Sequence, residues 1–483
     1  MIALVIAAPL LGAAISIAFR SRDTRRAVRV LLAGVAALLP LTLLGTVDGL
    51  STAFVVIVSA LGFLATAFSA GAFSFDWGVV DTFWSRKSVF FMLLGAFWSA
   101  MLLVVLADNF ALLWLGISAT TLATAFLVGY SGEPAALEAA WKYLILCSIG
   151  IAFALLGIIV LARVSVEAGI DPANALNWSV ILAHNPSISA PLARLGVTLM
   201  TIGFATKAGL VPMHAWLPDA HSKAPAPISA LLSGVLVSCA LYAIMRTLAV
   251  GTALGAGPQL HLLLTCLGAL SIVVAGALML SQTDLKRLLA YSTVEHAGIV
   301  ALALGFGGPL GLFAALFHVF AHAFSKSGAF LAAGLVQREH ATTKLSDLHG
   351  LWEAGSTGKM MLAALTALSG MPPFGIFLGE LLLVLAGVAA HSWIALAAGL
   401  VGISLAFAAL SRTAILIESG RPQSMTAEAR TSTGQEVPAK LLSRVAVAAT
   451  AVALVGALVV AIVPWIGLGD TLRLTALHIG TSP

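Results

Sequence analysis

Charge is what this sequence has least of. Only 9% of its 483 residues are Asp, Glu, Lys or Arg, where a soluble domain carries roughly 25%. A chain so poor in charge cannot cover itself with an ordinary water-facing surface. Cysteine is almost as scarce: Cys147, Cys239 and Cys266 are the only three, each inside an apolar run and none in a CxxC pair. Neither an iron–sulfur cluster nor a disulfide framework is indicated, and all three are expected to be buried thiols. The apolar stretch 2–19 lacks a preceding basic segment and an obvious cleavage site, so it reads as a first membrane helix rather than a secretory signal.

What the sequence has in abundance is apolar residue, 60% of the chain, with a mean hydropathy of +1.05. Runs of about 20 such residues cross a hydrocarbon core roughly 30 Å thick as helices, and they recur from end to end. We place spans at 2–19, 30–47, 50–74, 88–107, 110–129, 138–162, 195–213, 227–249, 259–281, 292–306, 309–336, 358–389, 393–415 and 442–466. The fold class is therefore an all-α polytopic membrane protein of about fourteen helices, with the lipid bilayer as its solvent. The longest connectors, 163–194 and 416–441, are read as loops with little fold of their own.

The net charge of +5 and pI near 9.3 would suggest nucleic acid in a soluble chain. In a membrane protein the placement of the basic residues matters more than their sum, and no nucleic-acid partner is implied. The connection RSRDTRRAVR after the first span holds five arginines against one aspartate. By the positive-inside rule it is cytoplasmic, which puts both termini on the outer side of a cell inner (plasma) membrane. The alternating loops agree, because the odd-numbered ones collect eighteen of the 25 lysines and arginines.

Two spans are interrupted by Pro and Gly, the seventh in TKAGLVPMHAWLP and the twelfth in LSGMPPFGIFLGE. Spans four to eight and nine to thirteen then form five-helix units with the broken helix fourth in each. Five is odd, so the second unit runs inverted relative to the first. Interrupted segments at corresponding places in two halves point to a transport site. The expected organisation is an N-terminal group over 1–87, five-helix repeats over 88–249 and 259–415, and a loop with a last helix over 416–483. A proline at mid-membrane frees carbonyls that only protein or water can satisfy, and water there is what a proton path needs.

Ionisable residues inside the spans are few: Lys142, Lys207, Lys326, His296, His318, His322 and Glu380, with Glu138 and Glu295 near helix starts. A lysine or acid at the centre of an isolated helix costs roughly 2.5–3.5 kcal/mol on insertion scales, so each needs a reason. His318, His322 and Lys326 are spaced i, i+4, i+8 and share one helix face. Two histidines four apart also suit a metal, yet no HExxH pattern or further carboxylate accompanies them. A proton relay fits better, since imidazole titrates near neutrality and burial brings a lysine towards the same range. Glu138 and Lys142 form an i, i+4 pair, read equally as a local ion pair or a functional one. The loop after Lys207 carries His214, Asp219, His221 and Lys223 and either passes protons to the cytoplasm or is a solvated turn. Asp284, Lys286 and Arg287 are read as orientation charges at the cytoplasmic interface, with His296 deeper.

The stretches KAGLVPMHAWLPDAHSKAPAPISALLSG, QTDLKRLLAYSTVEHAGI, HVFAHAFSKSGAFLAAG and GMPPFGIFLGE resemble the antiporter-like subunits of respiratory complex I, of Mrp cation/proton antiporters and of membrane-bound hydrogenases. LEAAWKYLILCSIGIA with the EH of STVEH looks most like hydrogenase-4 component F of the formate hydrogenlyase branch. The resemblance covers about residues 90–415. It implies a fourteen-helix proton-translocating subunit in a row of similar membrane-arm subunits, driven by a separate peripheral redox module. Lys207 would be the central lysine of the first broken helix, Lys326 the bridging lysine and Glu380 the acid at the second break, with His296 and His322 lining the same axis. Relatives usually carry a glutamate in the fifth span that pairs with the seventh-span lysine; here Ser118 occupies that place. Ser238 stands where some relatives have a lysine. Lys207 must then find another acid, such as Glu138, or couple poorly.

The subunit itself is expected to make or break no covalent bond in a substrate, since nothing resembles a quinone, flavin or nickel site; no cofactor and no metal are assigned. Three functional readings are open. The first is proton translocation in a hydrogenase-4-like or NADH:quinone oxidoreductase-like assembly. The second is an Mrp-type subunit moving Na⁺ as well, which the scarcity of intramembrane acids disfavours. The third, kept alive by Ser118, is a structural membrane-arm subunit whose pathway has decayed.

Overall fold

The computed structural model describes residues 1–19, 22–43, 45–72, 86–184, 191–353, 355–419 and 444–465, and over these every named element is helical. The order is α1 (Ile2–Ile17), α2 (Arg22–Leu38) with a 3-10 extension to Leu43, α3 (Gly49–Ala72), α4 (Arg86–Leu106), α5 (Phe110–Val128), α6 (Pro134–Glu167), the short α7 (Trp178–His184), α8 (Pro191–Ala208), α9 (Trp216–Lys223) and α10 (Ala226–Leu231). A π turn, Leu232–Leu236, joins α10 to α11 (Val237–Ala253). Then come α12 (Gly257–Met279), α13 (Leu285–Phe306), α14 (Gly308–His340), α15 (Ser356–Leu368), α16 (Gly375–Ala389), α17 (Trp393–Glu418) and α18 (Arg444–Val459).

Among the described residues, eleven helical segments, α10–α11 counting as one, are long and apolar enough to cross a membrane. The shorter α1 and the two broken pairs, α8 with α9 and α15 with α16, bring the passes to the expected fourteen. Local chemistry sets the boundaries. Asn109 caps α5 by accepting from the Ala111 and Leu112 amides at 2.9 and 3.3 Å, Pro134 opens α6 where a helix has no use for an amide proton, and Asp284 caps α13 through the Arg287 amide at 2.9 Å.

The stretches α4–α11 and α12–α17 share a plan. Each contains one helix longer than its neighbours, 34 residues in α6 and 33 in α14, and it packs against both pieces of the following broken pair. Each break holds a left-handed glycine, Gly209 at φ 74° and Gly370 at φ 68°, followed by a cis X-Pro bond, Val211–Pro212 and Pro372–Pro373.

The centre of the bundle is α10–α11, α13 and α14, buried nearly throughout, while α6, α12 and α17 form the rim. The rim helices and α5 present Leu122, Phe126, Ile159 and Ile394 outward, as lipid tails require. Helices touch closely where small residues face each other: a Cβ on Gly203 of α8 would come within 2.5 Å of the Gly150 carbonyl and Ala154 amide of α6.

Several expectations need correction. The first connector is shorter than read: α2 begins at Arg22, so four of the five arginines ride on its first two turns, where Arg25 and Arg29 are buried and Arg29 stacks on Phe91 at 4.0 Å. The connector after α6 is not featureless, because α6 runs to Glu167 and α7 follows, tied down by Phe110 N to Leu176 O at 3.0 Å and Asn109 to Asn177 at 2.6 Å. Cys147 and Cys239 are buried, but Cys266 is exposed because α12 is a rim helix. The predicted loop 416–441 falls largely outside the described residues.

Candidate functional site

The first break positions Lys207. Helix α8 stops at Ala208, and its freed groups find partners across the bundle: the Thr206 carbonyl accepts from Trp216 Nε1 at 2.9 Å, and the Val211 amide donates to Ser271 Oγ at 2.9 Å. Lys207 is fully buried. Its Nζ donates to Thr121 Oγ1 at 2.7 Å and to Tyr143 Oη at 2.6 Å, and lies 4.6 Å from the Tyr143 ring centroid. Thr124 Oγ1 in turn meets Tyr143 Oη at 2.6 Å.

The partner of Lys207 is therefore a set of hydroxyls, and the expected recourse to Glu138 is not what the fold provides. Glu138 pairs with Lys142 at 2.6 Å on an exposed face of α6, and Lys207 makes no ion pair among the described residues. Ser118 turns back to its own helix, donating to the Trp114 carbonyl at 2.8 Å. Sequence reasoning misses Thr121 and Tyr143. Their only local signal is the hydroxyl-rich run of α5, Ser118, Thr120, Thr121 and Thr124, together with one of just four tyrosines. A hydrogen bond to a charged group is worth about 1.5–3 kcal/mol, so Tyr143→Phe should lower proton movement by the intact assembly in vesicles. Ser118→Glu should give no gain, because the ammonium is already held one turn away.

The second cluster lies where α13, α14 and α16 meet. The stripe His318, His322, Lys326 is buried as its spacing predicts. Lys326 Nζ donates to the Leu289 carbonyl at 2.9 Å and to Ser292 Oγ. His296 Nδ1 meets His318 Nε2 at 3.2 Å and the Glu295 carboxylate at 3.3 Å, with the His322 ring centred 5.4 Å away. Glu380 packs on Gly370 at the second break, where a Cβ would meet its carboxyl carbon at 2.8 Å, and the preceding Gly379 seats against the His318 ring. Glu295 is within electrostatic range of both Glu380 and Lys326. Glu295 is not near a helix start, because α13 begins at Leu285; it sits at mid-helix and is 2% exposed.

The residues after Lys207 fold back as α9 rather than forming a wet loop. His221 is fully buried, stacked between Trp216 at 6.5 Å and Phe330 at 5.3 Å. Trp216 contacts Tyr143 at 4.9 Å, and His221 is in electrostatic range of Lys326 and His322. It thus lies between the two clusters. Asp219 is half-buried and bridges α6 and α13, 3.5 Å from Lys142 and 3.1 Å from Arg287. Lys286, read as an interface charge, is buried and donates to the Ala224 carbonyl at 2.6 Å. His214 is half-buried and Lys223 exposed, as a solvated turn would have them.

Several ring nitrogens of this axis, both of His221, Nε2 of His296 and His322 and Nδ1 of His318, have no hydrogen-bond partner among the described residues. Buried polar atoms ordinarily have one. No group of His, Cys, Asp and Glu suited to a metal occurs among the described residues.

The chain as a whole has relatives among known proteins. Residues 107–406 match the family described as NADH:quinone oxidoreductase/Mrp antiporter, TM. A hydrogenase-4 component F homolog of Methylacidiphilum infernorum is 35% identical over 385 residues, covering 78% of this chain and 79% of the relative. An NADH-quinone oxidoreductase subunit N of Desulforamulus reducens is 30% identical over 327 residues, 67% of this chain and 66% of the relative. A chain of the Mrp complex from Dietzia sp. has the same fold, with a TM-score of 0.82 at 18% identity over 99% of this chain and 97% of that one. The chain is a polytopic membrane protein of the NADH:quinone oxidoreductase/Mrp antiporter family.

Proposed function

We propose that the chain is the proton-translocating membrane-arm subunit of a multisubunit redox complex of the hydrogenase-4 or NADH:quinone oxidoreductase type. One observation carries the reading: Lys207 and Lys326 are both fully buried, Lys207 held by two hydroxyls and Lys326 by a hydroxyl and a carbonyl, with no ion pair to either among the described residues. A charge-bearing amine so placed has no packing role that a leucine would not fill better. Protons enter near Asp219 and pass between the Lys207 and Lys326 clusters through His221, with Glu380 as the acid at the second break. The subunit contributes no redox centre; a peripheral module supplies the energy, and neighbouring membrane-arm subunits flank it. The arginine-rich end of α2 faces the cytoplasm and both termini face outward in the plasma membrane.

Sodium transport would ask for carboxylate and carbonyl ligands, and among the described residues only Glu295 and Glu380 offer carboxylates in the axis. The test is proton movement per electron in sealed vesicles bearing the intact complex, with and without Na⁺, for the native chain and Lys207→Ala. Pumping that persists without Na⁺ and falls in the variant is the expected result. An unchanged ratio in the variant would remove the relay, and strict Na⁺ dependence would favour cation antiport.

A further inference from the structure

A second polar file leaves the Lys326 cluster along α11, towards the face opposite Asp219. It starts at the Leu289 carbonyl, which accepts from both Lys326 Nζ at 2.9 Å and Thr293 Oγ1 at 3.1 Å. Thr293 Oγ1 then meets Ser233 Oγ at 2.8 Å, and Ser233 lies in the π turn between α10 and α11.

The π turn sets the face on which the file continues. It holds one more residue than an α turn, so across it residues five apart take the stacking that four apart have in an α-helix. Ser233 and Ser238 therefore fall on one face, continued at regular α spacing by Tyr242 and Arg246. Ser233, Ser238 and Tyr242 are fully buried. Without the extra residue the file would be split between two sides of the helix.

At its outer end the file becomes a network. Tyr242 Oη meets Ser51 Oγ at 2.9 Å and accepts from Arg246 Nε at 3.0 Å. Arg246 Nη2 donates to Ser51 Oγ at 2.9 Å and to both carboxylate oxygens of Asp48 at 2.6 Å. Trp178 of α7 stacks on the guanidinium at 4.9 Å and roofs the network. Arg246 is nearly buried, whereas 47% of the Asp48 side chain reaches solvent. Burial works to raise the Asp48 carboxyl, but the Arg246 guanidinium and the Ser51 bonds outweigh it and hold it below the usual carboxylate value. Asp48 thus stays ionised at neutral pH as the counter-ion of Arg246.

We infer that this file is the release route, carrying protons from the Lys326 cluster through Thr293, Ser233, Ser238 and Tyr242 to an Asp48–Arg246 mouth on the outer face. The Leu289 carbonyl holds Lys326 Nζ and Thr293 Oγ1 side by side but has no proton to pass, so the first handover runs from the amine to Thr293 Oγ1 through water. Each handover breaks one N–H or O–H bond and makes one on the next hydroxyl or water oxygen, whose own proton moves on. Water completes the steps between hydroxyls one turn apart, and the last proton leaves to bulk water at Asp48. The guanidinium keeps other cations from entering by the same mouth.

This assignment rests on the proposed function, and the experiment separates the two. Tyr242→Phe removes only a hydroxyl and keeps the ring against Phe54, and Ser238→Ala removes only the hydroxyl of a fully buried serine. Both are placed in the intact complex, with Lys326→Ala alongside, and protons moved per electron are measured in sealed vesicles after complex content is matched. The expected result is a clear loss of protons per electron in both file variants, with electron transfer retained. Native ratios in both while Lys326→Ala pumps nothing would overturn the release route alone. A native ratio in Lys326→Ala itself would overturn the translocation reading and this route with it.

Discussion

Replacing Lys326 by alanine should abolish proton movement while leaving the protein folded and its complex assembled. Lys326 is fully buried and reaches Ser292, the Leu289 carbonyl and the field of Glu295. It also stands within electrostatic range of His221, His296 and His322. Almost every group of the second cluster, and the histidine that joins it to the first, senses this one amine. On the proposed function, its removal takes away the site where a proton would pause between the clusters. The fold should tolerate the change, because alanine takes one donor from Ser292 Oγ and one from the Leu289 carbonyl, which still accepts from Thr293 Oγ1, at about 1–3 kcal/mol, and it relieves a buried charge whose desolvation is itself costly. The check is the ratio of protons to electrons in vesicles, with complex content measured on the same membranes.

Gly203→Leu should fail at an earlier stage, in assembly. Helices α6 and α8 approach so closely that a Cβ at Gly203 would lie 2.5 Å from the Gly150 carbonyl and Ala154 amide and 2.7 Å from the Ala154 Cβ. The nearest obstructing atoms are backbone, which cannot turn aside as a side chain end would. Overpacking by a methylene or two costs about 1–3 kcal/mol, and a whole isobutyl group must push the two helices apart. That displacement would also carry Lys207, one turn along α8, away from Tyr143 on α6. The expected outcome is loss of the subunit from the membrane complex, read by its content in purified membranes. Gly203→Ala should fall between the native chain and the leucine variant.

Much of the architecture is legible in the sequence because membrane helices announce themselves locally. Fourteen passes, both breaks and the His318, His322, Lys326 face come from run length, proline and i, i+4 spacing, each a property of a single segment. What escapes depends on which segments meet. The hydroxyls around Lys207 come from α5 and α6, 86 and 64 residues away in sequence, and no spacing rule connects them. His221 looks solvated because WLPDAHSK is polar; packing turns that segment into α9 and presses its histidine against Phe330. Lys286 and Glu295 are misplaced for a single reason, a span started at 292 although the Asp284 cap begins α13 at Leu285. That cap is readable, since an aspartate before an apolar run is a helix-start signal.

Translocation of this kind requires that a proton be held and released at Lys326, rather than only that a positive charge stand there. Arginine separates the two, because it keeps the charge and does not deprotonate in proteins. The decisive measurement is therefore protons moved per electron by sealed vesicles bearing the intact complex with Lys326→Arg. A lysine that must titrate predicts no pumping above the leak seen with Lys326→Ala; a native ratio in the arginine variant would contradict it.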